Sequence, residues 1–225
     1  MKKALVISPH PDDETLGAGG TIRRFADAGY EVTVLTVAAH MPPLYSAEVH
    51  ETTTREARNA QQILGVKNSI FLDKPAVFLG DIPTAEFNAL ILDQVAASTP
   101  EILLIPFYDR HIDHRMIFDA CMVAVRPVGP GKNISLVAAY ETISETHWNA
   151  PHIEPNFTPN LCVDITDQID AKLKAISCFE SQLQEFPGPR SIDALKALAL
   201  FRGSQAGYAY AEAFHVIRMG AELFI

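Results

Sequence analysis

Histidines and acids stand together in the segment 8–14, which reads SPHPDDE and directly follows a short apolar run. His10 and Asp13 are side chains that bind a metal as a pair, and Asp12 places a further carboxylate beside them. Several acids in one turn repel one another unless a cation or strong donors offset their charge. An alternative is that an acid here caps a helix, which explains one Asp but not His10. The segment therefore favours a metal site.

A second cluster, DRHIDH at 109–114, also follows an apolar run. It contains Asp109, His111, Asp113 and His114, which by themselves could be polar residues at the start of a helix. With the His–Asp pair of the first cluster, one of these histidines would complete a three-ligand set with open positions, as catalytic zinc sites have. The residues alone leave open which histidine it is. Iron(II) is the alternative metal, because two histidines and a carboxylate suit it as well.

Alternating strands and helices must bring the two clusters together. Apolar runs predict four strands in the first half of the chain, each followed by a helix, which indicates a parallel sheet covered on both faces. The common strand order 3-2-1-4-5 sets strands one and four side by side, so both clusters would border one crevice at the carboxyl ends. The predicted strands are 5–7, 31–37, 69–72 and 101–105, and the predicted helices are 16–28, 48–64, 84–97 and 112–125.

The fold class that follows is α/β, a Rossmann-like, doubly wound and mostly parallel sheet with helices on both faces. We expect one domain over residues 1–225, with a core at 1–126 and a C-terminal part at 127–225 that completes the sheet and the site. In that C-terminal part the pattern predicts strands at 136–141, 161–165 and 208–217, and helices at 168–184 and 192–201.

Composition excludes several classes of protein. The formal charge of -9 has the wrong sign for an extended nucleic-acid surface, so no nucleic-acid partner is expected. No apolar run reaches the roughly 18 residues of a membrane span, and the N-terminal run ends at Ile7 without a cleavage-like segment. Cys121, Cys162 and Cys178 are expected to be buried free thiols. These features predict a cytoplasmic protein, and a homo-oligomer is left open.

Other motifs give weaker signals. The glycines of 17–20 do not form a dinucleotide fingerprint and are expected to allow close helix packing. Arg55, Arg110 and Arg190 could bind an anion, but solvated surface is the favoured interpretation. Trp148 could stack on a sugar or simply pack. His40 has no partner pattern that indicates a ligand.

The chain resembles the zinc-dependent PIG-L/LmbE-like deacetylases of N-acetylated amino sugars. The resemblance rests on PHPDDE at 9–14, on DRHIDH at 109–114, and on a C-terminal pattern that includes Arg202, Gly203 and Glu212. It covers essentially the whole chain. It implies that the substrate is a small N-acetyl amino sugar of the N-acetylglucosamine type. Because the segments after the second and third strands lack glycines that many relatives have, the exact sugar and aglycone are not predicted.

The resemblance also implies roles for individual residues. His10, Asp13 and His114 would bind zinc, and Asp12 would be the general base and later the general acid. Protonated His111 would face the developing oxyanion. Asp113, or less favourably Asp109, would orient a histidine. The alternatives are the same site acting on another amide or ester, and a non-catalytic module that binds a sugar or nucleotide.

Overall fold

The structure is a computed structural model that describes residues 2–220. Within this range, seven strands form one sheet in the order β3-β2-β1-β4-β5-β7-β6. The strands are β1 Lys3–Ser8, β2 Glu31–Ala39, β3 Asn68–Pro75, β4 Ile102–Pro106, β5 Leu136–Tyr140, β6 Leu161–Asp164 and β7 Ala211–Met219. The predicted order 3-2-1-4-5 and the mostly parallel α/β fold are confirmed, with β1 to β5 parallel and β7 antiparallel to both of its neighbours.

Within residues 2–220, six α-helices cover the two faces of the sheet, with two large apolar cores beneath them and a small third cluster of Ile165, Ile169 and Ala199. Because side chains alternate along a strand, Leu5 and Ile7 of β1 enter one core while Ala4 and Val6 enter the other. The first core packs on α3 and α4, and the second on α1, α2, α5 and α6. The helices are α1 Asp13–Asp27, α2 Ala47–Ile63, α3 Thr84–Ser98, α4 Ile112–Ala124, α5 Ile169–Ile176 and α6 Ile192–Ala206.

Glycine in α1 allows the helix to approach the centre of the sheet closely. A Cβ atom at Gly17 would lie 2.3 Å from the Tyr140 ring and 2.4 Å from the Glu141 carbonyl oxygen. A Cβ atom at Gly20 would lie 2.7 Å from Ile165. The expected packing role of these glycines is confirmed. The close approach fixes the start of α1, and with it the segment 8–14, against the end of β5.

The helix predicted at 168–184 is wrong in its second half, because α5 ends at Ile176. Beyond it the chain turns so that Phe179 is fully buried and the Ser181 backbone N–H and Oγ donate to the Glu56 carboxylate. Tertiary contacts thus override the local helical pattern. The next helix, α6, runs further than predicted and ends at Ala206. Gly207 caps it with a left-handed φ of 78°, which favours glycine.

Two further expectations concern the whole chain. Cys121, Cys162 and Cys178 are free thiols, as expected, but only Cys121 is buried and the other two are partly exposed. Among the helices that the structure describes, none combines the length and apolar character needed to cross a membrane.

Candidate metal centre and active-site cavity

The segments 8–14 and 109–114 meet at the carboxyl ends of β1 and β4, which pair directly in the sheet. A buried anchor holds the first segment in place. Ser8 Oγ donates to Glu14 Oε2 at 2.8 Å, and Gln61 Nε2 donates to Glu14 Oε1 at 3.0 Å. Burial raises the pKa of Glu14, although these hydrogen bonds lower it in part. Through these contacts, Glu14 ties the segment 8–14 to α2 and holds it in place.

Two histidines face the same carboxylate oxygen. His10 Nδ1 lies 3.0 Å from Asp13 Oδ2, and His114 Nε2 lies 3.2 Å from that oxygen. The other nitrogen of each ring binds a different acid: His10 Nε2 lies 2.9 Å from Asp113 Oδ2, and His114 Nδ1 lies 3.0 Å from Asp109 Oδ2. Carboxylates placed behind the rings in this way orient metal-binding histidines in many proteins.

The inward-facing atoms fit a metal ion. His114 Nε2 is buried without a hydrogen bond, although Asp13 Oδ2 is only 3.2 Å away, so the two atoms are close but not aligned for hydrogen bonding. His10, His111 and His114 each offer a nitrogen, and these nitrogens lie within 4.8 Å of one another. Imidazole nitrogens with a carboxylate oxygen are a donor set that suits zinc or iron(II).

The buried acids stabilise positive charge at two of the rings. Burial lowers the pKa of His10, but hydrogen bonds to Asp113 and Asp13 outweigh it and raise the value to about 9. Burial likewise lowers the pKa of His114, and the charge of Asp13 with the bond to Asp109 raises it to about 10. The pKa of Asp13 lies well below its usual value, because the two histidines outweigh the effect of burial. The same carboxylates would stabilise a metal cation bound among these groups.

Asp12 stands apart from this set of paired groups. Its backbone has φ 124°, a region that non-glycine residues rarely adopt, and its side chain makes no capping hydrogen bond to α1. The alternative that this side chain is a helix cap is therefore wrong. Arg190 Nε donates to Asp12 Oδ2 at 3.0 Å. Burial raises the pKa of Asp12 to about 7, although the charge of Arg190 lowers it, which suits a group that exchanges protons near neutral pH.

His111 lies at the N-terminus of α4, where its Nδ1 accepts the Asp113 backbone N–H at 3.2 Å. Burial and the charges of His10 and His114 lower the pKa of His111 to about 4. The lowered pKa favours the neutral ring, and the bond accepted at Nδ1 leaves Nε2 to carry the proton. The role of a protonated His111 stays a prediction. A neutral Nε2–H can still donate a hydrogen bond to an oxyanion.

A cavity of about 220 Å³ opens onto these groups. His40, which sequence reasoning left without a role, lies in its wall with its ring stacked 5.9 Å from His10 and its Nδ1 buried without a partner. Burial and the charge of His10 lower the pKa of His40 to about 4. Only its position after a central strand could have indicated this placement. The residues around the cavity are His10, Asp12, Asp13, His40, Tyr45, Ala76, Val77, His111, Glu145, Gln182 and Arg190.

The other candidates from the sequence are three arginines and a tryptophan, and they differ in how close they lie to the cavity. For Arg190 the favoured interpretation of solvated surface is wrong, because the side chain is only 24% exposed and binds Asp12. Arg110 is 46% exposed and donates to Glu145, a residue of the cavity wall, at 2.7 Å. Arg55 is exposed on α2 and Trp148 is 58% exposed, and neither lines the cavity.

Comparison with known proteins identifies the class of protein that this fold and site define. The family model for PIG-L, described as GlcNAc-PI de-N-acetylase, matches residues 5–125. The chain belongs to this family, and the resemblance predicted from the motifs is confirmed.

Individual relatives extend the match over nearly the whole chain. Diacetylchitobiose deacetylase of Thermococcus kodakarensis is 33% identical, over 96% of this chain and 84% of that protein. The crystal structure of the conserved protein TT1542 from Thermus thermophilus has 28% identity and a TM-score of 0.77, covering 96% of this chain and 94% of that one. N,N'-diacetylchitobiose deacetylase from Pyrococcus horikoshii has 26% identity and a TM-score of 0.75, over 96% and 84%.

Proposed function

We propose that this protein is a metal-dependent hydrolase that removes the acetyl group from an N-acetylated amino sugar of the N-acetylglucosamine type. Family membership and the similarity to diacetylchitobiose deacetylases support the reaction and the substrate class. The observation that carries the proposal is the convergence of two oriented histidine nitrogens on one oxygen of Asp13, beside a carboxylate with a pKa near neutrality.

The metal ligands in this proposal are His10, Asp13 and His114, and the metal is zinc, with iron(II) as the alternative. Asp113 fixes the ring of His10 and Asp109 fixes the ring of His114 through their outward nitrogens. A bound zinc ion would supply Lewis acidity, polarising the acetamide carbonyl and lowering the pKa of a water molecule.

The residues around the ligands would carry the proton transfers. Asp12 takes a proton from a water molecule while the oxygen of that water bonds to the acetamide carbon. His111 donates a hydrogen bond from Nε2–H to the oxyanion that develops. Asp12 then returns the proton to the amide nitrogen as the C–N bond breaks. The products are acetate and the free amino sugar, so one water molecule is consumed for each bond cleaved.

The dimensions of the cavity bear on the substrate. Its volume of about 220 Å³ is smaller than that of pockets that enclose a whole drug-sized ligand, roughly 300–1,000 Å³. The cavity therefore suits the acetamido end of one sugar residue, with the rest of a glycoconjugate outside. Its wall is mainly polar, since Glu145, Gln182 and His40 offer groups that can bind sugar hydroxyls.

The test is release of acetate by purified protein loaded with zinc or iron(II), assayed with N-acetylglucosamine, diacetylchitobiose and N-acetylglucosaminides that carry different aglycones. We expect acetate to appear in proportion to bound metal. A metal-loaded protein that releases acetate from none of these compounds would contradict the proposal. Turnover confined to simple esters or other amides would assign the same site to a different hydrolysis.

We further propose a cytoplasmic location and one domain over residues 1–225. The three free thiols support a reducing compartment, and the single sheet that both halves of the chain build supports one domain. Cell fractionation with an antibody against the protein tests the location. Limited proteolysis tests the domain, which is expected to resist cleavage around residue 126.

A further inference from the structure

The side chain of Asp12 receives little support from its own segment. It makes no capping hydrogen bond to α1, and its backbone is strained at φ 124°. Asp13, Asp109 and Asp113, by contrast, each bind a histidine ring. Within residues 2–220, the hydrogen bond from Arg190 Nε is the only one that reaches the Asp12 carboxylate, and it reaches Oδ2 alone.

Arg190 is well placed to supply that support. It immediately precedes Ser191, whose Oγ accepts the Ala194 backbone N–H and so caps α6. The backbone N–H of Arg190 donates to Gln184 Oε1 at 3.3 Å, and its carbonyl oxygen accepts from the Gln184 backbone N–H at 3.4 Å. The guanidinium therefore comes from a loop that hydrogen bonds between Gln184 and Arg190 hold closed, and it lines the cavity.

The single contact divides the two oxygens of the carboxylate. Because Oδ2 is held at 3.0 Å by Arg190, the direction of the carboxylate is fixed and Oδ1 remains available to accept a proton. We propose that Arg190 is a positioning residue that holds the Asp12 carboxylate in its proton-accepting orientation. The inference rests on the proposed function for its catalytic meaning, but the contact itself can be tested separately.

The proposal predicts a specific kinetic signature. A displacement of about 1 Å in a catalytic group can cost about 100-fold in rate, so Arg190→Gln should lower kcat by about that factor. Bound zinc should be unchanged, because Arg190 touches none of the proposed ligands, and KM should stay within about twofold. Arg190→Lys keeps the charge but loses the planar guanidinium, and should give an intermediate kcat.

The experiment combines kinetics with crystallography of the zinc-loaded protein. The control is Arg23→Gln, which removes an arginine from an exposed pair with Asp27 on α1, remote from the cavity. In the Arg190→Gln structure, we expect the Asp12 carboxylate to turn or shift by about 1 Å, while the histidine rings stay in place. An intermediate kcat for Arg190→Lys supports the proposal even if the glutamine variant does not fold.

Two results would overturn the inference. An unmoved Asp12 carboxylate in the Arg190→Gln structure would show that Arg190 does not position it. A raised KM with unchanged kcat would show that Arg190 binds substrate instead. If the wild-type protein releases no acetate from any substrate, the proposed function fails, yet the two crystal structures still decide whether Arg190 holds Asp12.

Discussion

Two clusters of buried charge lie in this molecule, and they differ in how completely their polar atoms are paired. The metal-centre cluster consists of His10, Asp12, Asp13, His111, Asp113 and His114. The C-terminal charge cluster consists of Glu141, Lys172, Arg202 and Glu212. In the metal-centre cluster His114 Nε2 and Asp113 Oδ1 are buried without hydrogen-bond partners, whereas no such atom occurs among the side chains of the C-terminal charge cluster.

The side chains of the C-terminal charge cluster bind one another and backbone groups of α1. Lys172 Nζ donates to Glu212 Oε1 at 2.5 Å and to the Leu16 carbonyl oxygen at 2.7 Å. The Glu212 carboxylate also accepts two backbone N–H groups of α1, and Arg202 donates to both oxygens of Glu141 at 2.8 and 2.6 Å. Each polar side-chain atom of this cluster has at least one partner, and its contacts join α1, α5, α6 and β7. The unpaired atoms of the metal-centre cluster can instead bind a ligand. The C-terminal charge cluster therefore stabilises the fold, and the metal-centre cluster carries the proposed chemistry.

The largest expected effect comes from the metal-centre cluster. Asp12→Asn removes the proposed base while keeping its shape, and should lower kcat for acetate release by about 1,000-fold or more. The variant should bind as much zinc as the wild type, because Asp12 is not a proposed ligand, and should unfold at a similar urea concentration. Metal analysis and acetate assays check this together. Activity within tenfold of the wild type would move the base to another residue.

The C-terminal charge cluster should respond in stability instead. Lys172→Met leaves the buried Glu212 carboxylate without its cation, which should lower the free energy of unfolding by about 3 kcal/mol or more in urea titrations. As a control, Arg23→Gln breaks an exposed pair on the same helix that Lys172 contacts, and should cost less than about 1 kcal/mol. If both variants lost the same free energy of unfolding, burial of the Lys172–Glu212 pair would not explain its contribution to stability.

The acids behind the histidines should have a smaller effect, on metal affinity. Asp109→Asn and Asp113→Asn each weaken the orientation of one ring, and should raise the dissociation constant for zinc by about 10–100-fold. Titration with a competing chelator measures this. Replacing Asp73, which pairs with the partly exposed His50 away from the cavity, with Asn should leave zinc affinity unchanged. Wild-type zinc affinity in both Asp109→Asn and Asp113→Asn would show that these acids do not orient the rings.

The smallest effect is a dependence of stability on pH at Glu141. Burial raises its pKa, but hydrogen bonds from His147 and Arg202 outweigh burial and hold it below the usual 4.5. A lowered folded pKa means that the ionised group adds stability above pH 4.5, which is lost as pH falls through the folded value. The stability difference between wild type and Glu141→Gln should therefore shrink in acid. A difference that stays constant from pH 7 to 3 would contradict this assignment.

Sequence reasoning was most successful where the pattern was local. The alternation of apolar strands with helices, the order 3-2-1-4-5 and the family were all predicted and are confirmed. The second half of the helix predicted at 168–184 was wrong, because burial of Phe179 and the bonds from Ser181 to Glu56 depend on residues remote in sequence. The predicted metal ligands and base stay predictions until metal is measured.

The sequence by itself determined the two His/Asp segments and the strands that end at them, because a parallel sheet must place those ends at one edge. Only the tertiary structure decided which nitrogen of His10 faces inward, since that depends on Asp113, which lies 103 positions away in the chain. It also brought Arg190 across 178 positions to Asp12 and placed His40 in the cavity wall. Single side chains that meet only through folding leave no periodic signal in the chain.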